Sequence, residues 1–144
     1  PTMINKIEQY NRKAVLTVHG SFFKLPFIGF RESKRSFHFM QELRKDVRVP
    51  MIGTGTLAFH TDTIKPKFEN ILPSRSDIWF SALCLKQNIP MMCIARRKAW
   101  LKPLATDNDT IWNKTMADKE FLDRNSELIT EHIIPYINEN IFSC

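Results

Sequence analysis

Helix and strand periodicities alternate along this 144-residue chain, and that alternation predicts an α/β domain. Three observations carry the assignment. Met3, Ile4, Ile7 and Tyr10 recur at helical spacing and run directly into the β-branched stretch at residues 14–18. A second helix, opening near Asp77 and ending at Asn88, runs into the strand-like residues 91–95. Hydrophobic residues at 43% and charged residues at 25% fit a globular core rather than a disordered chain. A chain of this length buries about 68–70% of its unfolded surface, enough for one core. No repeat, Gly/Ser linker or low-complexity tract divides it, so residues 1–144 read as a single domain.

The first helix covers residues 3–13, with Thr2 suited to cap its exposed amides. Residues 14–18 form a buried strand stopped by Gly20. From Ser21 to Glu42 no period holds. Six phenylalanines mix there with Lys24, Arg31, Lys34 and Arg35, which reads as an irregular excursion tucked over the sheet by its aromatics. Residues 47–52 form a second strand that ends at Gly53-Thr54-Gly55-Thr56, and an apolar run to His60 follows. The helix from Asp77 presents Ile78, Ser81, Ala82 and Leu85 on one face, widened by Trp79, Phe80, Leu83 and Cys84. The basic cluster Arg96-Arg97-Lys98 ends the 91–95 strand and precedes Trp100 and Leu101. A last helix spans about residues 118–142, and Pro135 should kink or divide it.

Charge and cysteines narrow the function classes. Lys and Arg exceed Asp and Glu by 21 to 15, a net +6 that favours an anionic partner without naming one. No apolar run approaches the roughly 20 residues of a membrane span, and no basic-then-apolar leader opens the chain. Glu127, Glu131 and Glu139 on the last helix argue mildly against anionic lipid, so membrane association stays open but is not indicated. Cys84, Cys93 and Cys144 have neither disulfide nor zinc spacing, which leads to the expectation of buried thiols in the cytoplasm.

Few residues are equipped for chemistry. Gly53 and Gly55 are two of only four glycines; a Gly-x-Gly turn lets a ligand approach the backbone, or merely redirects a strand. It is neither a dinucleotide fingerprint nor a Walker loop. Asp77 has three readings. Ser74-x-x-Asp77 suits a capping box, an acid in a first turn gains about 0.3–1 kcal/mol from the helix dipole, and a carboxylate at a cleft rim can act as a general base. His19 and His60 end strand-like runs, where functional side chains often project; they are the candidate metal ligands, although a lone His is more often packed or hydrogen-bonded. The single Asp-x-Asp pair, Asp107 and Asp109, sits in a polar loop that reads as a solvated turn. Arg96 at a strand end could grip phosphate, and Trp79 and Trp100 could stack on a sugar or simply pack. No Gly-x-Ser-x-Gly elbow or Cys–His constellation supports covalent hydrolysis.

Taken in order, these strings are no longer anonymous. Val18-His19-Gly20, Gly53-Thr54-Gly55-Thr56-Leu57-Ala58-Phe59-His60, Ser76-Asp77-Ile78-Trp79-Phe80, Ile89-Pro90 and the stretch from Arg96 to Leu101 follow one another over about residues 1–115. That succession resembles the C-terminal, acceptor-side half of bacterial family 2 glycosyltransferases of the GT-A fold. The resemblance implies a partial, Rossmann-like GT-A domain, a mixed sheet flanked by helices without its N-terminal nucleotide-binding half. It also implies inverting transfer of a sugar from a nucleotide-sugar donor to a glycan hydroxyl, as in polysaccharide biosynthesis. Asp77 would be the base; Gly53, Thr54, Gly55, Trp79, Arg96 and Trp100 would line the donor or acceptor pocket. Many members carry two acids where this chain has Ser76 and Asp77, so only Asp77 is carried over. A divalent metal, manganese or magnesium, and its carboxylates would belong with the missing half, leaving the isolated chain inactive. Two other readings stand beside it. One is a small basic module binding single-stranded nucleic acid through the 21–39 excursion, which lacks any module motif and is disfavoured. The other is a degenerate transferase half that only mediates assembly.

Overall fold

The computed structural model describes residues 2–67, 75–103, 115 and 117–137. The α/β class holds, but the strands form two small sheets rather than one. Helix α1 (Thr2–Gln9) leads into β1 (Val15–Thr17), followed by β2 (Gly20–Phe23), α2 (Phe30–Ser33), β3 (Lys34–Phe37), β4 (Val47–Arg48) and β5 (Met51–Ile52). Helix α3 (Ser76–Lys86), β6 (Met91–Cys93) and α4 (Lys119–His132) complete the order. The first sheet is mixed, β1-β6-β4, with β6 parallel to β1 and antiparallel to β4. The second is antiparallel, β3-β2-β5.

Two of the four chain passages between the sheets, β4 to β5 and β1 to β2, lie side by side. The single strand expected over residues 47–52 is split there: Val47 and Arg48 pair with β6, while Met51 and Ile52 pair with β2. Pro50 explains the break, because it has no N–H to continue a ladder. The other passage runs from β1 through His19 into β2. A Cβ at Gly20 would sit 3.0 Å from Val49 Cγ1 and 3.1 Å from Cys93 Cβ, so the glycine lets the sheets approach without displacing those side chains.

The stretch read as irregular, residues 21–42, is a correction: β2 and β3 form an antiparallel pair with α2 between them. Its strands are four residues each, too short to declare a period. Phe23 and Phe30 enter the main core, while Phe22 and Phe37 pair with rings 5.6 Å apart. The aromatics thus pack, in line with the expectation that they tuck the segment over the sheet.

Helix α1 is shorter than its pattern, since Asn11 and Arg12 take positive φ and turn the chain. Asp46 holds it, accepting from Lys6 Nζ at 2.7 Å, Tyr10 Oη at 2.9 Å and the Ala95 amide at 2.7 Å. Helix α3 buries Ile78, Phe80, Ser81, Ala82, Cys84 and Leu85, and Asn88 at positive φ follows its end. Ser81 tolerates burial because its Oγ accepts the Ile52 amide at 3.1 Å and donates to the Asp77 carbonyl at 2.6 Å, fastening α3 to β5. Helix α4 is capped by Asp118, which accepts from the Phe121 amide at 3.1 Å. It ends at His132, before a 3₁₀ turn at Ile134–Tyr136 that contains Pro135, so the helix expected over 118–142 stops ahead of the proline. Residues 138–142 of that expectation lie outside the described residues.

Candidate functional site

Asp77 sits in the first turn of α3, and its carboxylate turns away from its own helix. Oδ1 accepts the Thr54 amide at 2.8 Å and the Thr54 hydroxyl at 2.5 Å. Arg75 is the N-cap and makes no side-chain capping bond; Ser74, the other half of the expected capping box, lies outside the described residues. The chain thus spends Asp77 on a contact between two elements rather than on a cap.

Thr54 opens a 3₁₀ turn, Thr54–Thr56, directly after β5 and Gly53. Gly53 is there of necessity, for its amide donates to the His19 carbonyl at 2.6 Å, and a Cβ would stand 2.9 Å from that oxygen. Gly55 differs: a Cβ there would meet nothing within 4 Å, so no protein contact requires it. A threonine knot fixes the turn from beneath. Buried Thr17 Oγ1 lies 2.9 Å from the His19 carbonyl, 3.2 Å from the Gly53 carbonyl and 3.1 Å from Thr56 Oγ1. Thr56 Oγ1 in turn accepts the Val18 and His19 amides, each at 3.2 Å. The end of β1 and the Gly-Thr-Gly-Thr string are thereby one unit, and Asp77 is tied to it.

Charged and titratable groups gather around this unit. Burial foremost, then Lys34 and His38, pushes His19 down to about 4, with Asp77 pulling the other way, so the imidazole is neutral at pH 7. Its ring lies edge-on to His38 at 5.3 Å, and His38 packs on Phe39 at 4.4 Å. Lys34 pairs with Phe23 across the β2–β3 ladder, which directs it to the core face of that sheet. Its ammonium stands 4.8 Å over the Phe30 ring; burial lowers its pKa while the Asp77 charge raises it.

Other residues singled out in the sequence go elsewhere. Arg96 is only 7% exposed, and its guanidinium donates to the carbonyls of Ile94 at 2.9 Å, Phe37 at 3.0 Å and His38 at 2.8 Å. Arg97 and Lys98, by contrast, are exposed. Trp79 packs 5.2 Å from the His132 ring of α4, and Trp100 packs with α1 against Leu16 and Ile94. His60 accepts the Asp62 amide at 3.1 Å through Nδ1 and faces the Asp62 carboxylate. The structure therefore unites His19, Gly53, Thr54 and Asp77, and adds Thr17, Lys34, Thr56 and Ser76, which the sequence did not single out as functional. Only the threonine-rich spacing around the two glycines could have hinted at the knot.

Among the described residues no three His, Cys, Asp or Glu side chains converge, and Asp77 has one oxygen already engaged by Thr54. Asp107 and Asp109 lie outside the described residues. A groove of about 1010 Å³ between α2 and α4, lined among others by Ile28, Phe30, Leu122 and Glu127, includes none of the Asp77 unit. Among the described residues no helix is long and apolar enough to cross a membrane. No protein-family model matches the chain, and a search of curated proteins returns no match.

Proposed function

We propose that this chain is the acceptor side of an inverting, GT-A-type family 2 glycosyltransferase, with Asp77 as general base. The observation that carries the reading is the bond between Thr54 and Asp77. It joins the two strings on which the resemblance rests, although they are 23 positions apart. One carboxylate oxygen is held, and the other accepts no hydrogen bond from the described residues, with the charge of Lys34, and of His19 when protonated, acting on the carboxylate. In the proposed reaction that oxygen, Oδ2, takes the proton of an acceptor hydroxyl as its oxygen attacks the anomeric carbon. A bond forms from the acceptor oxygen to carbon, and the bond from carbon to the nucleoside diphosphate breaks with its electron pair leaving on the phosphate oxygen. Binding of the nucleotide and any metal falls to residues outside those described, and no step here depends on them.

Asp77→Asn in the full polypeptide should lower turnover by about 10²–10⁴-fold while nucleotide-sugar affinity stays the same. The amide keeps the Thr54 contact as acceptor but is not a base. Transfer at near wild-type rate in that variant would sink the assignment, and intact folding with no transfer in either protein would favour the assembly-only reading.

A further inference from the structure

We infer that the mouth of the Asp77 site reads a pair of neighbouring hydroxyls on the acceptor, with Ser76 as the specificity-determining residue and Thr54 as its positioning residue. The inference rests on the glycosyltransferase reading and deepens it. It follows from hydrogen bookkeeping. An ionised carboxylate only accepts, and a hydroxyl has one proton to give. Thr54 Oγ1 lies 2.5 Å from Asp77 Oδ1, so its proton is committed there. Thr54 Oγ1 also lies 3.1 Å from Ser76 Oγ, and with no proton left it can only accept. Ser76 must then donate inward, and its exposed oxygen turns lone pairs outward.

Two acceptors are consequently left over, Ser76 Oγ and Asp77 Oδ2, joined through Thr54 Oγ1 and the width of one carboxylate, and neither has a proton to give. A phosphate or carboxylate would meet lone pairs with lone pairs. A vicinal diol, such as adjacent ring hydroxyls of a sugar, supplies two donors: one proton to Ser76 and the other, on the attacking oxygen, to Asp77. Gly55, exposed and with open space where a Cβ would be, leaves the approach clear beside them.

The test uses the folded chain and a set of methyl hexopyranosides with their single-deoxy counterparts, followed through the amide resonances of Thr54 and Ser76. Diol glycosides should shift these amides, and removing one of the paired hydroxyls should weaken binding about threefold to tenfold, the loss of one neutral hydrogen bond. Ser76→Ala, at an exposed position, should show the same weakening toward the diol and no further loss toward the deoxy sugar. Thr54→Val should loosen the discrimination by releasing the Ser76 proton, and Thr54→Ser should restore it. If no diol glycoside shifts either amide, or if Ser76→Ala discriminates against each single-deoxy sugar as strongly as the unaltered chain does, the inference is overturned. The outcomes separate it from the parent reading. Diol selectivity in a protein whose transfer ignores Asp77→Asn would leave the sugar site and remove the base, whereas the reverse would leave the base and remove the diol rule.

Discussion

Arg96→Lys distinguishes a clamp between the sheets from a hand that holds ligand. The guanidinium reaches from just past β6 to the carbonyls of Phe37, the last residue of β3 in the other sheet, and of His38 after it, and to Ile94 in its own segment. A lysine ammonium at the same place is a point charge without the planar fork, and it can replace one of these three contacts but not all. Two charge-assisted bonds lost at about 1.5–3 kcal/mol each, partly offset by relaxation, give a destabilisation of about 3–4 kcal/mol. For a chain this long the unfolding entropy converts each kcal/mol into about 3 °C, so the midpoint should fall by roughly 10 °C. Thermal and urea unfolding followed by circular dichroism at neutral pH measure it directly. Arg97→Lys, exposed and adjacent, serves as the control and should stay within about 0.5 kcal/mol of wild type. If Arg96→Lys is as stable as that control, the three carbonyl bonds do not hold the sheets together.

Two further outcomes follow from buried groups. His19 is held at about 4 in the fold against 6.5 in an open chain, so below pH 6.5 the unfolded chain takes up a proton the fold refuses. Stability is therefore complete above that pH and falls as pH drops toward 4, by about 2 kcal/mol after allowance for partial exposure. His19→Asn should flatten that part of the pH–stability curve, and an unchanged slope would show that the imidazole is not the group responsible. Burial pushes the Cys84 thiol up to about 12 and also raises Cys93, the latter opposed by Arg96. In a Cys144→Ser background neither thiol should react with an aromatic disulfide reagent faster than the protein unfolds. Rapid labelling in native buffer would contradict their burial.

Much of the architecture was legible because its signals are local. The β-branched residues before Val18 are a strand in almost any context, and all of Val15–Thr17 is buried. The α3 pattern survives because six of its eleven residues pack into the core, and Pro135 acts on its own backbone wherever the helix lies. What failed was also specific. The β2–β3 pair hid among phenylalanines because strands of four residues with partly covered faces show no clean alternation. The split of residues 47–52 hid because Val49 and Met51 are as apolar as a continuous strand requires, and only the second sheet shows that Pro50 is a crossing.

The site divides in the same way. Sequence alone singled out Asp77 and the two glycines, since an acid in a first turn and a rare Gly-x-Gly are visible without a fold. It could not say whether the carboxylate caps its own helix, because capping and reaching Thr54 begin from the same residue at the same place. Nor could it separate Arg96, buried among carbonyls, from Arg97 and Lys98, which face water. Those distinctions depend on which groups from distant parts of the chain arrive within hydrogen-bond range. Local propensity is a property of neighbours in sequence, but the direction of a side-chain proton and the burial of a cation are properties of neighbours in space. The longer helices and the buried β1 and β6 strands were therefore written in the residues, while the β2–β3 pair, the Thr17 knot and the orientation of Asp77 came into being only when distant segments met.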